Sequence, residues 1–234
     1  MRQATVYIDQ TALQHNFNRV KALAPNAKVV SMVKANAYGH GIERVFEGLR
    51  SADGFALLDL DEAERLRRAD WRGPILLLEG CFEARDLEVC SRLNLWHVVH
   101  TAEQIEWLSR HKTHTPHRVF LKMNSGMNRL GFAPAQAAGA LARLRAHRAV
   151  RAVTLMTHFA AADEAPDGPG AAYVVFGKKD GAHVDLAQLG DPSHERAHAE
   201  FVEIDVVPGH AVPLCRFTGI SPRRGQATRP ENRD

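Results

Sequence analysis

Cysteine is scarce: three in 234 residues, at Cys81, Cys90 and Cys215, with no CxxC pair. That excludes a disulfide scaffold, and an odd, sparse set is expected to stay reduced in the cytoplasm. Long apolar runs are missing as well. No segment approaches the ~20 apolar residues of a membrane span, and Met1-Arg-Gln-Ala-Thr-Val-Tyr-Ile-Asp9 lacks the apolar stretch of a signal peptide. A dominant charge is also missing. Formal net charge is +3, and basic residues mix with acids, as in Asp59-Leu-Asp-Glu-Ala-Glu-Arg-Leu-Arg-Arg68. Such a run reads as a solvated helix face, so neither nucleic acid nor membrane is expected as a partner. What remains is globular composition, 45% hydrophobic and 24% charged, enough for one barrel-sized domain or two small ones.

The first two-thirds of the chain alternate strand and helix. Strands are expected over 5–8, 28–33, 54–58, 75–78, 96–99, 118–123 and 150–156. Asp9 is placed to cap a first helix in which Leu13, Phe17 and Val20 share a face. Further helices are expected over 42–49, 61–69, 84–93, 102–111 and 134–147. Strands such as Ile75-Leu-Leu-Leu78 are apolar without alternation, as burial on both faces requires. Parallel strands with helical crossovers make either a doubly wound sheet or a (β/α) barrel, and periodicity does not choose between them. A full TIM-type barrel needs eight units in ~250 residues; about six are legible here before the pattern stops.

Asp163-Glu-Ala-Pro-Asp-Gly-Pro-Gly170 is a turn-rich break. We expect a partial barrel over 1–167 and a separate tail over 168–234, with strands at 171–176 and 201–207 and a frayed polar end. Missing barrel strands would leave sheet edges open, so the fold is expected to be unstable unless the tail or a partner covers them.

Lys34 directly follows the apolar strand Val29-Val-Ser-Met-Val33. A lysine there stands at the C-terminal face, where barrels keep their chemistry. A lysine held against apolar walls loses hydration of its charged form, and a neutral amine can form a Schiff base with an aldehyde cofactor. By position alone it reads first as a lysine snorkelling to solvent. The string Val33-Lys-Ala-Asn-Ala-Tyr-Gly-His-Gly41, however, is similar essentially letter for letter to the cofactor-lysine signature of bacterial alanine racemases. Tyr7-Ile-Asp9 with Ala12, Leu13 and Asn16, then Leu76-Leu-Leu-Glu-Gly80, Lys122-Met-Asn-Ser-Gly-Met-Asn-Arg-Leu-Gly131 and Thr157-His-Phe-Ala160, follow in the family's order. The resemblance covers roughly residues 1–165.

The resemblance implies the family's (β/α)8 barrel, here incomplete, and a pyridoxal 5′-phosphate enzyme interconverting L- and D-alanine for peptidoglycan. It implies that Lys34 carries the cofactor as a Schiff base and is the base on the D-alanine side. Tyr38 would bond the cofactor phosphate, Arg129 would meet the substrate carboxylate and the cofactor, and His158 would lie at the cofactor ring. Lys122 matches a lysine that is often carbamylated and that positions the arginine. Where the family usually has aspartate two residues further on, this chain has Asn124. Taken singly, Arg129 also reads as a surface arginine and His158 as a satisfied core histidine.

In the family the second base is a tyrosine of the C-terminal β-domain, supplied across a homodimer interface. Of Tyr7, Tyr38 and Tyr173, none matches that tyrosine, so little racemase activity is expected of this chain. The alternatives are a racemase for another amino acid and a non-catalytic pyridoxal-phosphate-binding protein. Two motifs in the tail compete. Residues 170–181 resemble a strand unit of FG-GAP-type propeller repeats. His194-Glu-Arg-Ala-His198 matches HExxH, with Glu195 as the base of a zinc hydrolase, but no third ligand follows at metzincin spacing. His111, His114 and His117 read as a solvated loop.

Overall fold

The structure, a computed structural model, describes residues 7–23, 25, 27–158 and the strand 201–204. Its chain order is α1 (Gln10–Leu23), β1 (Lys28–Met32), the short turn α2 (Lys34–Tyr38), α3 (Ile42–Phe46) running into a 3-10 turn (Glu47–Leu49), and β2 (Gly54–Leu57). Then come α4 (Leu60–Arg68), β3 (Ile75–Leu77), α5 (Asp86–Leu93), β4 (Trp96–Val99) and α6 (Ala102–Arg110). The rest are β5 (His117–Met123), α7 (Pro134–Arg145), β6 (Val150–Thr157) and β7 (Phe201–Ile204). All strand pairs are parallel, in the order β6-β5-β4-β3-β2-β1-β7.

Strand alternation sorts the core into two layers. Val29, Phe55, Leu57, Ile75, Leu77, Val99, Val119 and Leu121 face the helices, and every helix from α1 to α7 packs there through residues such as Phe17, Ala37, Phe46, Leu66, Leu87, Leu108 and Leu144. Val30, Met32, Ala56, Leu76, Leu78, Val98 and Phe120 form the opposite layer, joined among the described residues by neighbours in the sheet and by Tyr38. A doubly wound sheet carries helices on both faces, whereas a barrel carries them on one. The structure therefore resolves the choice that periodicity left open: this is an incomplete (β/α) barrel wall, with β1–β6 supplied by consecutive units.

Local chemistry explains several boundaries. Asp9 Oδ1 accepts the Thr11 and Ala12 amides at 2.9 and 3.1 Å, so the expected cap of α1 is formed. Thr101 caps α6 by accepting the Gln104 amide at 3.2 Å. Tyr7 and Ile8, expected to end a first strand, lie outside any strand, and residues 1–6 are outside the described region. The expected strand at 171–176, the propeller-like segment and the boundary near 167 also lie outside it. Within the 201–207 stretch, Phe201–Ile204 form a strand, and its ladder runs beside β1 from Lys28 to Ser31. Among the described residues no helix is long and apolar enough to cross a membrane.

Two buried polar groups stand on the helix side of the sheet. Cys81 and Cys90 are free thiols with Sγ atoms 3.6 Å apart, and contact with Cys90 together with burial pushes the Cys81 thiol well up, keeping it protonated and inert. The second group corrects the sequence reading. His117 is not in a solvated loop; it opens β5 at 3% exposure. Its ring lies 5.0 Å from that of His97 and 5.1 Å from that of His111. Burial first, and the neighbouring imidazoles second, push His97 down to about 3 and His117 down to about 4.

Those shifts fix a pH dependence. Unfolded, both histidines return to about 6.5. Between the folded and unfolded values the unfolded chain binds more protons, so stability is complete above about 6.5 and is lost as pH falls toward the folded values. Lowering pH from about 7.5 to about 5 is expected to remove about 2 kcal/mol through His97 alone. Urea midpoints across this range test it, and His97→Phe should flatten the curve. A midpoint insensitive to pH would show that the histidines are not buried as described.

Candidate active site at the C-terminal ends of the strands

Residues two apart in a strand share a face. The inner row of β1 is Val30 and Met32, and Lys34 continues it. In β4 the row runs through Trp96 and Val98 to His100, in β5 through Phe120 to Lys122, and in β6 through Met156 to His158. Lys122 pairs with Met156 across the ladder and is 5% exposed. Four nitrogen-bearing side chains thus end four rows at one end of the sheet, above an apolar floor.

Lys34 is half-buried, with Nζ 5.7 Å from the centre of the Tyr38 ring, and that ring packs on the inner layer. The intervening backbone is unusual. Ala35, Asn36, Ala37 and Tyr38 all have positive φ, between 52° and 55°. They form a single left-handed turn, closed by Gly39 N–H to Ala35 O at 2.9 Å and Gly41 N–H to Asn36 O at 2.9 Å. Left-handed helix costs roughly 1–2 kcal/mol per L-residue. Gly39 and Gly41, at φ 85° and 92°, carry the chain out of the turn without that penalty.

Arg129 is exposed in the loop between β5 and α7. The loop is pinched at its base, where Phe132 N–H meets Lys122 O and Asn124 N–H meets Phe132 O, each at 2.9 Å. Asn124 organises the interior: Oδ1 accepts the Gly126 and Asn128 amides at 3.1 and 3.0 Å, and Nδ2 donates to Asn128 Oδ1 at 3.0 Å. Aspartate could make the first two bonds but not the third, which gives asparagine a local reason to be here. Ser125 and Thr157 join by their hydroxyls, and Thr157 Oγ1 donates to Met123 O at 3.0 Å. The Arg129 loop is thereby tied to the end of β6, next to His158.

A sequence model of the alanine racemase N-terminal domain matches residues 8–174. The chain belongs to the alanine racemase family. It is 68% identical over 161 residues to the alanine racemase of Paracidovorax citrulli, covering 69% of this chain and 43% of that protein. To the alanine racemase of Polaromonas naphthalenivorans it is 67% identical over 160 residues, again 43% of that protein. Among solved structures, the biosynthetic alanine racemase from Pseudomonas aeruginosa superimposes with a TM-score of 0.66 at 44% identity, over 69% of this chain and 45% of that one. The chain therefore spans less than half the length of the curated relatives it matches.

Within this racemase fold, Lys34, Tyr38, Lys122 and His158 end up at the same end of the sheet, and the loop that carries Arg129 leaves β5 at that end. His100 was not singled out from the sequence, although its parity with Val98 would have found it. Its Nε2 lies 3.0 Å from Glu79 O, and burial, then the Lys122 cation, lowers its pKa below the usual imidazole value. Among the described residues no group of three His, Cys, Asp or Glu side chains is arranged to hold a metal ion, and His194, Glu195 and His198 fall outside them.

One glycine controls the Arg129 loop. Gly131 has φ 117°, and a Cβ there would stand 2.7 Å from Asn124 N and 2.8 Å from Met123 C, both main-chain atoms. Gly131→Ala is expected to destabilise the chain by about 1–3 kcal/mol. An unchanged urea midpoint would mean that the loop is not packed in this way.

Proposed function

We propose that Lys34 carries pyridoxal 5′-phosphate and that the chain acts on alanine as the amino-terminal part of an alanine racemase. The observation that carries this reading is a half-buried amine at the C-terminal end of β1, on an apolar inner face, inside the segment that matches the family. The residues fit the group. An apolar floor suits a flat heterocycle, Tyr38 offers a hydroxyl donor to a phosphate, and Arg129 offers a fork of donors to a carboxylate.

The cofactor would supply an electron sink for the charge left when an amino acid loses its α-proton. Nζ of Lys34 takes or returns that proton on one face of the substrate. Arg129 holds the carboxylate, Lys122 stands behind its loop, as amine or carbamate, and His158 orients its partners at the ring. Inversion needs a second proton donor on the opposite face. Tyr7 is 89% exposed, Tyr38 is assigned to the phosphate and Tyr173 lies outside the described residues. We therefore infer that this chain alone exchanges the α-proton of alanine but inverts the centre slowly. Cofactor binding without either step is the second reading, favoured by the single assigned base. A domain boundary near residue 167, homodimerisation, a cytoplasmic setting and D-alanine supply to peptidoglycan follow as further proposals from the same reading.

Pyridoxal phosphate added to the purified chain, followed by borohydride and peptide mapping, is expected to label Lys34 and to lose that label in Lys34→Ala. Label scattered over surface lysines would sink the reading. In heavy water, alanine is expected to gain deuterium faster than it racemises. Turnover equal to that of a complete family member would refute the single-base account.

A further inference from the structure

A left-handed turn of four L-residues persists only where its surroundings hold it. Here the restraint comes from one helix. Glu62, in α4, is 6% exposed, and its Oε1 accepts the Asn36 amide at 2.6 Å. Arg65, three residues on, donates from Nη2 to Asn36 Oδ1 at 2.7 Å. The same guanidinium grips Glu43 from Nε and Nη2 at 2.7 and 2.6 Å. Asn36 Oδ1 also accepts the Ile42 amide at 3.3 Å, so the turn, the start of α3 and the middle of α4 meet on a single side chain.

The arrangement is unfavourable as a mere packing solution. Glu62 buries a carboxyl whose second oxygen, Oε2, has no hydrogen-bond partner among the described residues. An apolar residue would fill the space without that desolvation. What the carboxyl does is receive a main-chain amide in the middle of the strained turn. The charges agree: Glu43, and less strongly Glu62, hold the Arg65 cation in place.

We propose that Glu62 and Arg65 are positioning residues for Lys34. By clamping Asn36 from both its main chain and its side chain they fix the left-handed turn, and with it the separation between the Lys34 amine and the Tyr38 hydroxyl. The clamp is geometric; its consequence for cofactor capture rests on the reading of Lys34 given above.

The test uses the full chain. Hydrogen exchange without cofactor reads the turn directly, and borohydride-trapped pyridoxal label on Lys34 reads its consequence. Glu62→Ala is expected to speed exchange in the peptide covering residues 34–42 by roughly tenfold or more, with β3–β5 peptides unchanged. Label on Lys34 should fall by a similar factor. Glu62→Gln keeps an acceptor oxygen and should restore both. Arg65→Lys, at a side chain 31% exposed, keeps the charge but cannot grip Asn36 and Glu43 together, so it should loosen the same peptide even if Glu62→Ala fails to fold. Wild-type exchange in the variants overturns the clamp. Faster exchange with unchanged label overturns the positioning role. A wild-type chain that takes no label on Lys34 refutes the cofactor reading instead, while exchange still decides the clamp.

Discussion

Side chains of a strand alternate between its faces, so the placement of one residue commits every other in that strand. Here the helices claim one face of β1 to β6, and the inner face is left to Val30, Met32, Ala56, Leu76, Val98 and Phe120. Once those are inside, Lys34, His100, Lys122 and His158 must end the inner rows. A slip of one residue in β1 would send Lys34 to the helix side and expose Val29. The apolar pattern that stabilises the wall is the same pattern that gathers the nitrogens at its end.

The strand that carries Lys34 is doubly supported. β1 is paired with β2 on one side and with β7 on the other, Lys28 to Ser31 lying against Phe201 to Ile204. An edge strand offers unpaired main chain and frays. With β7 in place, β1 is an interior strand. Asp53 adds a further tie: its Oδ2 accepts the Val29 amide at 2.8 Å and a bond from Lys21 Nζ at 2.6 Å, joining β1 to α1. A rigid β1 matters because α2 begins at the next residue but one after its end.

The sequence made β1 to β6, the Asp9 cap and the signature around Lys34 legible, because each is written in neighbouring residues. Ile75-Leu-Leu-Leu78 can be read as a buried strand with no knowledge of what lies beside it. The left-handed turn could not be read in that way. Alanine and tyrosine disfavour positive φ, and only Asn36 and Gly39 hint at it; the determinants, Glu62 and Arg65, sit in another element. His117 failed for a similar reason. It follows Thr113-His-Thr-Pro116, a polar loop by composition, yet the first residue of a strand is already in the wall, and His97 and Ser91 make room for it. Local propensity reports elements; partners distant in sequence decide strain and burial.

The charge distribution at the inner rim narrows the kind of ligand that fits it. Of the residues that end the inner rows, Lys34, Leu58, Leu78, His100, Lys122 and His158, none is acidic, and the loop after β5 carries Arg129. Asn124 keeps that balance where aspartate would shift it, while still holding the loop by three hydrogen bonds. Burial first, and the Lys122 cation after it, disfavour protonation of His100. Under the reading of Lys34 proposed above, a phosphate and a carboxylate would each meet hydrogen-bond donors at this rim.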